Sequence, residues 1–258
     1  MGDVRQDLAA SVLTLTIDRE AQRNALSPDV VGGLLTALRS ASENPEVRVI
    51  VLTGAGRKAF CAGGDLGSAG GGDGLLSSHE GRRQYAALLE AIASLEKPTI
   101  ARVNGLALAG GLGLVCACDL AVAGVSAQFG TPEVNVGLFP YMVTALLFRS
   151  VPPKQAMELI LTGRRIDAAE AARIGLINRA VGDDALDAEV TRLATELASK
   201  SPAILRLGKR AVWKTRDLAI APALELLAAQ LTVNSLTEDA MEGVTAFLEK
   251  RPPAWKGR

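Results

Sequence analysis

Two glycine turns are the places where this sequence could do chemistry with its backbone. They read "AFCAGGDL" (59–66) and "ALAGGLGLVCACDLA" (107–121), and each comes shortly after an apolar run, "VRVIVLT" (47–53) and "TIARV" (99–103). In the second turn Gly110, Gly111 and Gly113 interrupt what otherwise reads as the start of a buried helix. No acidic side chain lies between Asn104 and Cys118. Glycine in a helix interior costs roughly 0.5–1 kcal/mol relative to alanine, so close packing or a ligand must offset that cost. Backbone N–H groups at a helix N-terminus are unpaired and sit at the positive end of its dipole. Two such turns facing one point would hold an oxygen that gains negative charge, each donor contributing roughly 2.7–4 kcal/mol. Plain packing of strand on helix calls for the same glycines, and residue types alone leave both readings open.

Other patterns lead nowhere. Gly111 and Gly113 begin like a dinucleotide fingerprint, but its third glycine would fall at Cys116. "GVSAQ" (124–128) resembles a nucleophile elbow, yet Gln128 stands where the closing glycine belongs. His79 is the only histidine and reads as a solvated residue at the far end of the loop "GSAGGGDG" (67–74). That loop is either a linker or a lid beside a ligand site. Cys61, Cys116 and Cys118 are odd in number and lie among apolar residues, which points to buried thiols in a reducing cytoplasm rather than disulfides or a metal site.

The elements that position the turns alternate. "SVLTLTI" (11–17), "VRVIVLT", "TIARV" and "DLAVAG" (119–124) read as strands. Helices are expected to begin near Pro28 behind the cap Ser27, near Arg82, and at Gly110. Alternation of this kind predicts an α/β fold with βαβ crossovers. From Pro152 onward the spacing is mainly helical, with one short strand candidate in "GLINRAV" (175–181). At 258 residues the chain has room for one large domain with an appendage, and a 48% hydrophobic content with only 3% aromatics predicts a core of Ala, Val, Leu and Ile. Lys plus Arg and Asp plus Glu both number 28. That balance argues against nucleic-acid or membrane-surface partners, which select a basic footprint. The opening "MGDVRQDLAA" carries no signal-peptide pattern, and the apolar runs break before reaching membrane-span length, so a soluble protein is expected.

The two turns, together with "RNAL" (23–26), "KPTIARVNGLALAGG" (97–111), "CDLAVAG" (118–124), "AQFGTPEVNVGLFP" (127–140) and "LTGRRIDAAEAARIGLIN" (161–178), resemble the crotonase, or enoyl-CoA hydratase/isomerase, superfamily. The resemblance runs in order from about residue 11 to the ending "FLEKRPPAWKG". It implies repeated ββα units wound into a spiral core over 1–198, with a C-terminal helical oligomerisation region over 199–258 that packs in a trimer or dimer of trimers. It also implies an acyl group carried as a coenzyme A thioester, so that no separate cofactor is needed. By position, Gly64 and Gly110 correspond to the two residues whose amides bind the thioester oxygen. Ala62, Asp65, Leu66, Gly67 and Gly111 would line the bound thioester and its pantetheine arm. For the CoA phosphates, Arg23, Lys58, Lys250, Arg251 and Lys256 are candidates by position alone.

Hydratases of this family commonly carry two glutamates that hold and activate water. The first falls three residues after the second oxyanion amide, which here is Gly113; the second is present as Glu133. Glu133 follows Pro132 among apolar neighbours, and burial there would raise its pKa toward that of a general acid or base. A single carboxylate suits double-bond isomerisation; hydration needs a substitute for the missing one. Asn135 is a weak candidate, since on a strand it would share a face with Glu133. Decarboxylation, thioester hydrolysis and non-catalytic acyl-CoA binding are the alternatives.

Overall fold

The computed structural model describes residues 2–65 and 74–258. A six-stranded sheet runs in the order β1 (Val4–Ala9), β2 (Val12–Ile17), β3 (Val49–Gly54), β5 (Thr99–Val103), β7 (Leu120–Gly124) and β10 (Arg179–Val181). Only the β1–β2 pair is antiparallel. Every residue of β3 is buried, as expected of a central parallel strand covered on both faces. Its alternating side chains serve two cores. Ile50 and Leu52 join Leu15, Val30, Leu34 and Leu112, whereas Val49 and Val51 pack with Ile100, Val122, Val190 and Leu193.

A second sheet of four strands runs in the order β4 (Ala59–Cys61), β6 (Leu106–Leu108), β8 (Gln128–Gly130) and β9 (Arg165–Asp167). Its first three strands are parallel, and β9 closes it antiparallel. One strand in each sheet followed by a helix recurs three times. The helices are α2 (Leu75–Ser94) after β3 and β4, α3 (Gly110–Ala117) after β5 and β6, and α4 (Tyr141–Ser150) after β7 and β8. This is the crotonase-like ββα winding.

Helix α1 (Pro28–Glu43) starts where the sequence predicts, with the Ser27 hydroxyl accepting from the Val30 amide and Pro28 at the first position. Helix α3 also begins as expected, at Gly110. Helix α2 starts seven residues before Arg82, at Leu75, so His79 is an exposed helical residue rather than a loop residue. Its first two turns, "LLSSHEG", lack both a side-chain cap and an apolar period, which hides the start from sequence reading. The first seven residues of the "GSAGGGDG" segment lie outside the described residues, and Gly74 stands immediately before α2.

The second half continues with α5 (Pro153–Thr162), α6 (Ala168–Arg173), α7 (Leu186–Ala198), α8 (Pro202–Thr215), α9 (Ile220–Ser235) and α10 (Glu238–Leu248). The strand in "GLINRAV" is confined to its last three residues, β10. The chain end folds back on this region. The Trp255 indole N–H donates to the Ser199 carbonyl at 2.8 Å, and the buried Asp239 carboxylate accepts the Lys256 and Gly257 amides. No helix among the described residues is long and apolar enough to cross a membrane.

Candidate active site

Three parallel strands of the small sheet deliver the candidate groups at their C-terminal ends: β4 leads into Gly63 and Gly64, β6 into Ala109 and Gly110, and β8 into Thr131, Pro132 and Glu133. Ligands in open α/β sheets gather at that end of the strands. The Ala109 amide donates to the Gly130 carbonyl at 2.9 Å, tying the second turn to the strand that carries the glutamate.

The Gly64 turn is held by "RNAL". The Leu26 amide donates to the Gly63 carbonyl at 2.8 Å and the Asp65 amide to the Leu26 carbonyl at 3.0 Å. Gly64's own N–H takes no part in this parallel bridge, and a Cβ at Gly64 would meet nothing within 4 Å. Asn24, fully buried, donates its side-chain amide to the Ala55 and Ala59 carbonyls and so fastens "RNAL" to the β3–β4 connection. The Asp65 carboxylate accepts from Arg19 at 3.1 Å, and Ala62 donates its amide to the Arg23 carbonyl. Leu66 and Gly67 lie outside the described residues.

The two turns touch. Gly63 sits at φ +103, where an L-residue is strained, and a Cβ there would lie 2.6 Å from the Ala109 Cβ and 3.4 Å from the Gly110 nitrogen. Ala109 itself holds φ +51 and ψ −125 at the cap of α3, a conformation rare outside glycine. It swings the Gly110 amide onto the open N-terminus of the helix. Gly111 has a different task from Gly110. A Cβ at Gly111 would overlap the Cys61 carbonyl, so this glycine lets α3 lie directly on the end of β4.

Glu133 is carried on a 3-10 turn, Pro132–Val136, not on a strand. The Gly137 and Leu138 amides cap this turn by donating to the Glu133 carbonyl, and the buried Thr131 hydroxyl anchors its start to the Leu159 carbonyl at 3.1 Å. On this turn Asn135 does not share a face with Glu133. It is exposed, and its side chain lies against Gly163. Asn135 therefore does not stand in for a second carboxylate. The Glu133 Oε2 is buried with no hydrogen-bond partner among the described residues, and burial raises its pKa.

Tyr85, which sequence reading passed over, reaches the same place. It starts the stripe Tyr85, Leu88, Leu89 and Ile92 that packs α2 inward, and the last three are buried. Its hydroxyl donates to the Gly110 carbonyl at 2.7 Å. A Cβ at Gly113 would overlap this hydroxyl and come within 3.2 Å of Val143. A glutamate at Gly113 therefore has no room while Tyr85 keeps its place. That spacing of an aromatic ahead of an apolar stripe was the only signal in the sequence, and it is the ordinary signature of a core helix.

Burial pushes the thiols of Cys61, Cys116 and Cys118 up to about 12, so they stay neutral and are not nucleophiles. Among the described residues no His, Cys, Asp and Glu cluster could hold a metal. Arg251 is paired with Glu242 and Glu249, and Lys256 with Glu238, whereas Arg23, Lys58 and Lys250 have no ion pair among the described residues. A cleft of about 700 Å³ bordered by Asp119, Arg149, Lys209 and Trp213 lies elsewhere, and none of Gly64, Gly110 and Glu133 lines it.

A model of the enoyl-CoA hydratase/isomerase family matches residues 7–258. The chain belongs to that family. It is 37% identical to the 2,3-dehydroadipyl-CoA hydratase of Escherichia coli over 96% of both chains. It is 36% identical to the mitochondrial enoyl-CoA hydratase domain-containing protein 3 of Rattus norvegicus, covering 95% of this chain and 81% of the relative. The crystal structure of the enoyl-CoA hydratase from Bacillus anthracis superposes with a TM-score of 0.95 at 34% identity, covering 99% of this chain and 100% of that one. In this chain of the enoyl-CoA hydratase/isomerase family, the space beside Gly113 is filled by the Tyr85 phenol.

Proposed function

We propose that this chain adds water reversibly across the double bond of a 2-enoyl-CoA thioester. The Gly64 and Gly110 amides receive the thioester oxygen, and Glu133 is the single general acid/base. The observation that carries the proposal is the buried Oε2 of Glu133, which has no partner among the described residues, on the turn after β8 and beside β6, which leads into α3. A buried carboxylate oxygen without a partner calls for water or substrate. Its raised pKa suits a group that must both take and return a proton. The hydratase names of the relatives support the same class of reaction.

As water oxygen bonds to C3, Glu133 accepts its proton and the double-bond electrons move to the thioester oxygen. The two amides stabilise the enolate, and Glu133 then returns the proton to C2 while the carbonyl re-forms. Arg23, Lys58 and Lys250, being exposed and without ion pairs among the described residues, are our candidates for the CoA phosphates. A cytoplasmic setting suits the three free thiols. The helices of 199–258 would join copies into a trimer or hexamer.

A second reading, double-bond isomerisation, is favoured by the lack of a carboxylate at Gly113. Incubation with 2-enoyl-CoA and with 3-enoyl-CoA, followed by product mass, decides between them. Hydration adds one water to the 2-enoyl substrate. Conversion of the 3-enoyl substrate without a mass change, and no hydration of the 2-enoyl one, would put isomerisation in its place.

A further inference from the structure

The Tyr85 hydroxyl lies over the first turn of α3, between Gly110, whose carbonyl it engages, and Gly113, whose bare Cα leaves it room. Its one proton is committed to that carbonyl at 2.7 Å, which leaves the oxygen's lone pairs as acceptors. Burial, with smaller contributions from Cys61, Cys116 and Glu133, holds the phenol well above its ordinary pKa, so it stays protonated. The turn under this phenol and the turn that carries Glu133 are tied together, since the Ala109 amide donates to the Gly130 carbonyl at 2.9 Å and Glu133 follows three residues later. The Glu133 Oε2 is meanwhile a buried acceptor that lacks a donor among the described residues. One water molecule could satisfy two such acceptors, carried on turns that are tied to each other.

We propose that Tyr85 is the water-positioning residue of this site: its oxygen accepts one hydrogen of the attacking water, whose other hydrogen points at Glu133. The proposal rests on the hydratase reading and deepens it. Tyr85 exchanges no proton in the step. Water oxygen bonds to C3, its proton passes to Glu133, and the electron pair goes to the thioester oxygen. What Tyr85 supplies is the direction of the water lone pair, and misplacement of a reacting group by about 1 Å can cost on the order of 10²-fold in rate.

Tyr85→Phe keeps the ring and removes the oxygen. Two reactions are compared: hydration of a 2-enoyl-CoA, which needs the positioned water, and exchange of the C2 hydrogens of a saturated acyl-CoA with D2O. The exchange needs only Glu133 and the oxyanion amides. Tyr85→Phe is expected to lower kcat for hydration roughly 10²-fold, with KM and C2 exchange within about threefold of the parent enzyme. Glu133→Gln should lose both reactions. Tyr85→Gln, which restores an acceptor oxygen, should recover part of the hydration and guards against a Phe variant that fails to fold. Undiminished hydration in Tyr85→Phe overturns the proposal. So does an equal loss of hydration and exchange, which would place the role of Tyr85 in holding the Gly110 turn. If the parent enzyme exchanges C2 hydrogens but hydrates nothing, the hydratase reading itself fails, and this proposal with it.

Discussion

Glu133 owes its buried oxygen and its raised pKa to the same desolvation, and this ties activity to stability through pH. Burial favours the protonated carboxyl, so the folded protein binds this proton more tightly than the unfolded chain does. Stability from this group is full below the ordinary carboxylate pKa and is lost as pH rises through the raised one. Glu133→Gln removes that loss. The melting temperature of the variant relative to the parent should therefore climb with pH across that interval, as calorimetry at several pH values would show. Catalysis runs the other way, since the base must be deprotonated. The acidic limb of kcat/KM should lie above the ordinary carboxylate value, and Glu133→Gln should cost roughly 10²–10⁴-fold in kcat, with acyl-CoA affinity little changed. Retained turnover would make Glu133 structural. The apolar neighbours of Glu133 in the sequence raised the expectation of burial. No residue of Pro132–Val136 is buried as a whole, however, and Val136 is exposed, so only the placement of the Oε2 in the fold desolvates it. Tyr85 was not legible beforehand, because its partner Gly110 is distant in the chain and only the packing of α2 on α3 joins them.

At the scale of elements, α3 is preceded at its cap by a non-glycine residue with positive φ, Ala109. Strain of this kind costs of order 1–3 kcal/mol and persists only where surrounding contacts impose it. Here the Ala109 amide is bound to Gly130 and its Cβ faces Gly63. Ala109→Gly should relieve it and raise stability by roughly 0.5–1 kcal/mol after the greater chain entropy of glycine is counted. An ordinary alanine-to-glycine loss in chemical denaturation would show that the turn is unstrained. The strands β2, β3, β5 and β7 were readable as β-branched runs because they are buried on both faces. The strands β4, β6, β8 and β9 have three residues each, too few for a period, and exist through their pairing with one another. The sheet that carries the proposed site was thus the one least visible in the sequence.

For the whole molecule, α9 has no buried residue, and Leu224, Leu231, Leu236 and Phe247 on α9, just beyond it and on α10 are 61–81% exposed. Large exposed apolar faces mark contacts with other molecules. We expect light scattering at micromolar concentration to give the mass of three or six copies, and Leu231→Glu with Phe247→Glu to lower it toward one. A parent protein that runs as a monomer would count against assembly through this region.

The small sheet has one more consequence, for the order in which the protein is made. Its strands come from widely spaced parts of the chain: β4 at residues 59–61, β6 at 106–108, β8 at 128–130 and β9 at 165–167. As the polypeptide leaves the ribosome, the Gly64 turn emerges first, the Gly110 turn second and Glu133 last. The sheet that aligns them is closed only when β9 pairs with β8. Contacts so far apart in the chain form slowly, because loop-closure entropy is lost before they stabilise anything. A nascent chain stalled before residue 165 would carry every reacting group yet lack the strand that completes their frame. The frame of the proposed site would therefore be complete only late in synthesis.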